Sequence, residues 1–398
     1  MNKLVQFFKL ETSSAIILMI MTILALAISN SPLYPIYKDI LTTPISVKVG
    51  EIGLDKPILL WINDGLMAIF FCLVAIEIKR KIFANPDIGW SQLAFPTIGA
   101  LGGITIPALI YLLLNMNHPE YMRGWAIPTA TDIAFSLGVL MLLGNRVPDS
   151  LKLFLVMLAV IDDLAAIMVI ALFYTGKLSV LSLSLAAIGS IILFAMNRFK
   201  VKYVIAYIWA GVFLWVCMVQ SGVHATLTGV LVGFALPMGI KGEHGVSPSI
   251  QMEHDLKHWV NYMHLPIFAF ANAGVPLTGV SLALLLEPLP LGIALGLLIG
   301  KPLGVTAFVW TSTKLGWIKL PDGTNWQQFI GVAILTGVGF TMSLFIGTLA
   351  FGEDLLVRIR IGVLVGSFIA AVVGYMILRY ASNPIITGER HVENRQTQ

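Results

Sequence analysis

Twelve apolar runs constrain this chain more than any other feature. With a window of about 19 residues, they fall near 12–30, 58–83, 95–116, 121–143, 150–175, 181–198, 203–218, 222–237, 252–273, 290–312, 327–350 and 357–380. A spanning helix needs about 20 mostly apolar residues, so twelve would occupy about 240 positions. Of 398 residues, 57% are hydrophobic and 12% are charged, against roughly 25% charged in a soluble domain. That arithmetic excludes a soluble enzyme and a disordered chain. The net charge of +4 is too scattered to make a nucleic-acid-binding face. The runs are continuously apolar instead of alternating, which excludes a β-barrel. Cys72 and Cys217 lie inside apolar runs and read as buried helix residues, not as a disulfide or metal pair. The expected class is an all-α polytopic membrane protein with about 12 transmembrane helices.

The lysines and arginines orient it. With both termini on one side, the loops on that side carry 17 of the 25 basic residues and the opposite loops seven, while Lys301 lies within a run. Positive residues stay inside, so both termini, including a tail at 383–398, are expected in the cytoplasm. The first run has Lys3 and Lys9 ahead of an apolar core and Ala25-Leu26-Ala27 behind it, like a cleaved leader. With eleven further spans, it reads as an uncleaved first span. Between the first two runs, Ile45, Val47 and Val49 alternate with Ser46 and Lys48, and Gly50-Glu51 suits a tight turn. The segment 43–56 therefore reads as an extracytoplasmic β-hairpin whose edge could pair with a second copy.

Charges in the hydrocarbon region cost from about 3 to more than 10 kcal/mol, so each marks a functional site by default. Few pass that filter. Asp132 is central in the fourth run, Asp162 and Asp163 in the fifth, and Lys301 in the tenth, while Asp64 and Glu77 sit towards the ends of the second. Three midplane carboxylates for one ammonium leave an excess of negative charge, suited to binding a cation, holding protons, or both. Adjacent helical residues point about 100° apart, so one of Asp162 and Asp163 can take the lysine while the other faces an aqueous cavity.

Two runs are interrupted at their centres. The fourth reads Pro128-Thr129-Ala130-Thr131-Asp132, and the eleventh reads Thr336-Gly337-Val338-Gly339-Phe340-Thr341-Met342-Ser343. Proline, glycine and small polar residues make poor continuous helix. Runs three to five and ten to twelve then look like inverted three-helix repeats, each with a discontinuous middle helix. Crossed at the midplane, the breaks would gather helix ends of both signs. Asp132 could neutralise the positive ends in one half, and Lys301 the negative ends in the other.

Several motifs in order carry a resemblance over nearly the whole chain: WINDGLMAIFF at 61–71, EIKR at 77–80, PTATDIAFSLG at 128–138, AVIDDLAAI at 159–167, SGVHATLTG at 221–229, FAFANAGV at 268–275, GKPLG at 300–304 and TGVGFTMSLFI at 336–346. They closely resemble the NhaA-type bacterial sodium/proton antiporters, a family known for inverted repeats. The resemblance implies electrogenic exchange of cytoplasmic Na⁺ or Li⁺ for protons in the bacterial inner membrane, with no cofactor. It implies Asp163 as principal ion ligand, Asp162 paired with Lys301, and Thr131 and Asp132 at the crossing. It further implies a pH-regulating cluster at Glu77, Arg80, Glu253 and His254, and a homodimer joined through the hairpin at 45–54. Residues 95–176 and 290–382 would form the transporting core, with 9–85 and 180–275 as scaffold and interface. Lys81, Ile250 and Gln251 depart from the family pattern, which bears on the pH range. His224 belongs to a family motif and joins the pH-response candidates, with helix packing as its ordinary role. His254 and His258 are spaced like a metal pair but lack a third ligand.

Other classes fit less well. An intramembrane aspartyl protease would need a GxGD-like motif, where this chain has Gly337-Val338-Gly339-Phe340. A cation channel would not need a lysine opposing its carboxylates, and a sodium-coupled organic-anion symporter on the same plan usually lacks the aspartate pair beside a lysine.

Overall fold

In a bilayer every backbone amide must find its partner within the protein, so apolar runs of this length become helices. The computed structural model of the chain describes residues 13–49, 52–83, 90–174, 178–240, 242, 245–277, 281–321 and 323–381. The first run gives α1 (Ser13–Ser29), and α2 (Tyr34–Thr42) follows at 112° to it. Strands β1 (Pro44–Val49) and β2 (Ile52–Pro57) pair antiparallel, with Val47 opposite Leu54 and Ile45 opposite Lys56. The expected Gly50-Glu51 turn lies outside the described residues, as do Lys3, Lys9 and the tail. A helical turn at Ile58–Trp61 and a π-turn at Ile62–Leu66 lead into α3 (Met67–Phe83), which is followed by α4 (Trp90–Asn115).

The fourth run splits into a 3₁₀ segment, Pro119–Thr129, and α5 (Ile133–Met141), bent by 43°. Its first half is not α-helix. Prolines 119 and 128 bracket it, and two of its carbonyls are held from outside: the Tyr111 hydroxyl donates to Tyr121 O at 2.7 Å and the Tyr174 hydroxyl to Arg123 O at 2.6 Å. Beyond it come α6 (Asp149–Phe173), α7 (Val180–Arg198), α8 (Val204–Ser221), α9 (Leu227–Ala235), α10 (Pro248–Trp259) and α11 (Leu265–Ala273). The chain continues as α12 (Pro288–Leu295), α13 (Lys301–Lys314), α14 (Trp326–Leu335), α15 (Phe340–Ala350) and α16 (Glu353–Ala381), with α14 and α15 bent by 42°.

Seven helices among the described residues are long and apolar enough to span, and ten spans result if each bent pair counts as one. The two remaining runs fall short for separate reasons. At 222–237, Gly222 closes α8 in a left-handed conformation, φ 86°, and the turn that follows leaves only nine helical residues for α9. At 252–273, α10 carries the polar sequence PSIQMEHDLKHW, and a π-turn at Val260–His264 separates it from α11.

Helices α4 and α13 cross at Gly102 and Gly304, where a Cβ on either would overlap the other's carbonyl. Contact this close between helices in lipid needs small residues. Arg358 and Arg360 lie in the first turns of α16, which starts at Glu353, ahead of the apolar run. There Arg358 Nε meets Glu287 Oε2 at 2.5 Å and Arg360 Nη1 donates to Gly274 O at 2.9 Å.

Candidate functional site

The two interrupted helices meet at their breaks. Ala130 and Asp132 are extended, with ψ of 151° and 104°, which takes the backbone out of helix just where the partner crosses. The amide of Asp132 donates to Val338 O at 2.7 Å, so the breaks are joined backbone to backbone. Asp132 is the N-cap of α5, its Oδ1 accepting from Phe135 N at 2.9 Å. Its Oδ2 accepts from Thr341 N at 3.0 Å and Thr341 Oγ1 at 2.5 Å, at the first turn of α15. One carboxylate therefore caps a helix from each half. This corrects the expectation that it would serve one half alone, because α5 and α15 start side by side.

Lys301 follows directly on a π-turn, Gly296–Gly300, and opens α13 fully buried. Its ammonium lies 2.8 Å from Asp162 Oδ2, with neither side chain exposed, and donates to Thr129 O at the end of the 3₁₀ segment. The Thr131 hydroxyl stands 2.7 Å from Asp162 Oδ2 and 3.0 Å from Thr336 O, so it ties α6 to the ends of both broken helices. Ser343 Oγ donates to Ile127 O at 2.7 Å, and Ser367 Oγ of α16 accepts from Gly339 N and Phe340 N at 3.2 and 3.1 Å.

Asp163 differs from all of these. It is fully buried, and neither of its carboxylate oxygens has a hydrogen-bond partner, while Asp162 lacks one on Oδ1 only. An ionised carboxylate buried without a partner is costly, so such a group is suited to hold a proton or a small hard cation. A cavity of about 580 Å³ reaches Asp132 and Thr341, and its walls also include Glu77, His254, Lys257 and Tyr262.

The profile of the Na+/H+ antiporter 1 family matches residues 5–378. The chain belongs to this family. It is similar to the Na(+)/H(+) antiporter NhaA of Haemophilus ducreyi, at 48% identity over 387 residues, 96% of this chain and 98% of that protein. The Na(+)/H(+) antiporter NhaA 1 of Pseudomonas putida is 51% identical over 380 residues, 95% and 96% of the two chains. The Na(+)/H(+) antiporter NhaA of Yersinia enterocolitica is 51% identical over 383 residues, 96% and 97% of the two. Membership makes the chain a multi-pass membrane transporter and not an enzyme, which removes the protease reading.

The remaining sequence candidates of this antiporter family member lie apart from the crossing. Arg80 and Glu253 are paired at 2.9 Å, with side chains 47% and 10% exposed. His254 Nδ1 is 3.5 Å from Asp255, and Glu77 lines the cavity. Asp64 is paired with Lys56 of β2 at 2.8 Å, away from the aspartate pair. The His224 ring donates from Nε2 to Tyr174 O at 2.6 Å, just past the end of α6. Among the described residues no three His, Cys, Asp or Glu side chains gather as a metal cluster, the His254 and His258 pair included. The pattern of rare charges marked Asp132, Asp162, Asp163 and Lys301; it did not mark Thr129, which contributes only its carbonyl, nor Ser367.

Proposed function

We propose that this protein exports cytoplasmic Na⁺ or Li⁺ in electrogenic exchange for protons, with ion and proton competing for Asp163. The observation that carries the reading is the unpartnered, fully buried Asp163 carboxylate beside an Asp162–Lys301 pair. Asp163, with Asp162, hydroxyls and water, binds a sodium ion that has shed part of its hydration. At low pH protons occupy these oxygens or Lys301 holds Asp162, and the ion is excluded. As pH rises the protons leave and sodium takes their place. Competition for one site enforces exchange without a separate gate. Because Lys301 and two aspartates can all change protonation as a coupled set, more than one proton moves per sodium ion.

The transporting core comprises 95–176 and 290–382, and it moves as a unit against 9–85 and 180–275 to alternate access. Support comes from the symmetric Gly102–Gly304 contact and the paired breaks. The protein resides in the bacterial inner membrane with both termini cytoplasmic, and the cavity by Glu77 and Lys257 is the cytoplasmic access to the site. Glu77, Arg80, Glu253, His254 and His224 set its pH response, with Lys81, Ile250 and Gln251 altering its range. Two copies associate through the hairpin at 45–54, whose Ile45 and Val47 are exposed.

The test is sodium-dependent dissipation of an imposed pH gradient in proteoliposomes, repeated with lithium and potassium, for the wild type and Asp163→Asn. Dissipation with Na⁺ and Li⁺, absent with K⁺ and lost in the variant, is expected. Survival of wild-type rate and affinity in Asp163→Asn overturns the assignment. Sodium flux insensitive to the proton gradient points instead to a channel, and flux requiring an organic anion to a symporter.

A further inference from the structure

We propose that Ser367 is a positioning residue of the ion site, holding the first turn of α15 so that Thr341 presents both its donors to Asp132. The need for it begins with Gly339. That residue is the N-cap of α15, a place where a Ser, Asp or Asn would ordinarily supply its own capping oxygen. No side chain fits there: a Cβ on Gly339 would meet Leu297 Cδ2 at 2.8 Å and Ala130 O at 3.1 Å, the latter belonging to the crossing chain. The first amides of α15 must therefore be satisfied from elsewhere, at a depth where water is not available to do it. Ser367, buried on α16, accepts from Gly339 N and Phe340 N, and Asp132 takes the next amide, Thr341 N.

The two broken helices thus solve one problem in opposite ways. Helix α5 is capped by its own Asp132, whereas α15 is capped in trans by Ser367 and Asp132 together. Without the Ser367 oxygen, two amides compete for Asp132 and the positive end of α15 is less screened beside the aspartates. Cation binding then weakens although Ser367 never touches the ion.

The inference deepens the antiport reading and rests on it for its transport readout. Ser367→Ala and Ser367→Thr are compared with wild type in proteoliposomes. Ser367→Ala is expected to raise the Na⁺ concentration for half-maximal exchange roughly fivefold, the factor that about 1 kcal/mol of hydrogen bonding carries, with the maximal rate within about twofold. Ser367→Thr, which keeps the hydroxyl, restores the affinity. An unchanged half-maximal concentration, or a fall in maximal rate alone, overturns the positioning role and leaves a merely structural one. Hydrogen exchange of the backbone over 337–341 in purified protein reads the same contact without transport. Faster exchange in Ser367→Ala, reversed in Ser367→Thr, is expected, and equal exchange overturns the proposal even if the transport reading itself fails.

Discussion

Two ion pairs of nearly equal length sit in opposite surroundings. Lys301 and Asp162 are 2.8 Å apart with no side-chain exposure, whereas Arg80 and Glu253 are 2.9 Å apart with the arginine about half exposed. Distance alone would rank them together. Burial separates them, because a buried pair is held by what it would cost to leave either charge alone, while the half-exposed Arg80 can trade its partner for water at little loss. The inner pair is also tied in further: Asp162 accepts from Thr131, and Lys301 donates to Thr129 O at the crossing. Any change in its protonation is felt by both broken helices. The outer pair tethers α10 to α3 away from that junction.

The sharpest way to break this comparison is to remove one partner of the inner pair. Lys301→Met leaves a carboxylate buried without its cation and Thr129 O without its donor. It is expected to destabilise the protein by about 3–5 kcal/mol, measured as the loss of unfolding free energy in detergent. Adding Asp162→Asn to Lys301→Met should recover part of that loss, since no charge is then stranded. A single-variant cost below about 1 kcal/mol would place the inner pair in the class of exposed ones.

A smaller effect is expected at Thr131, which a single hydroxyl hydrogen bond ties to the pair. Thr131→Val keeps the shape and removes the hydroxyl that lies between Asp162 Oδ2 and Thr336 O. The expected loss is about 1–3 kcal/mol, the range for a buried group left without its bond, and Thr131→Ser should return most of it. Equal stability of wild type and Thr131→Val would show that Lys301 alone holds Asp162.

How far the site could be read in advance follows from the same physics. Charges are so rare in apolar runs that Asp132, Asp162, Asp163 and Lys301 stand out unaided, and Pro128, Gly337 and Gly339 announce the breaks. A serine is common in any membrane helix, so nothing in GSFIAAVVG singles out Ser367; its role exists only because Gly339 has no room for a cap. Carbonyl acceptors such as Thr129 O, which takes the Lys301 ammonium, are likewise silent, since every residue has one. Apolarity and length part company at α9, which a left-handed Gly222 shortens to nine residues.

The smallest effect belongs to the outer pair. Arg80→Ala should cost no more than about 1 kcal/mol at low ionic strength and less as salt is added, because the Debye length shrinks from about 10 Å at 0.1 M to about 3 Å at 1 M. The partner variant Glu253→Gln, which leaves only the half-exposed Arg80 without its partner, should cost no more than Arg80→Ala. Lys301→Met, by contrast, should keep its full cost at high salt, for the ions do not reach a pair with no exposed surface. Unfolding titrations at the two ionic strengths therefore separate the pairs by whether the cost falls with salt and not merely by its size. If transport regulation rests on the outer pair, Arg80→Ala will also displace the pH dependence of exchange while leaving its maximal rate intact. A fall in maximal rate with an unmoved pH profile would tie Arg80 to the transport step itself, and the division between a buried working pair and an exposed tuning pair would fail.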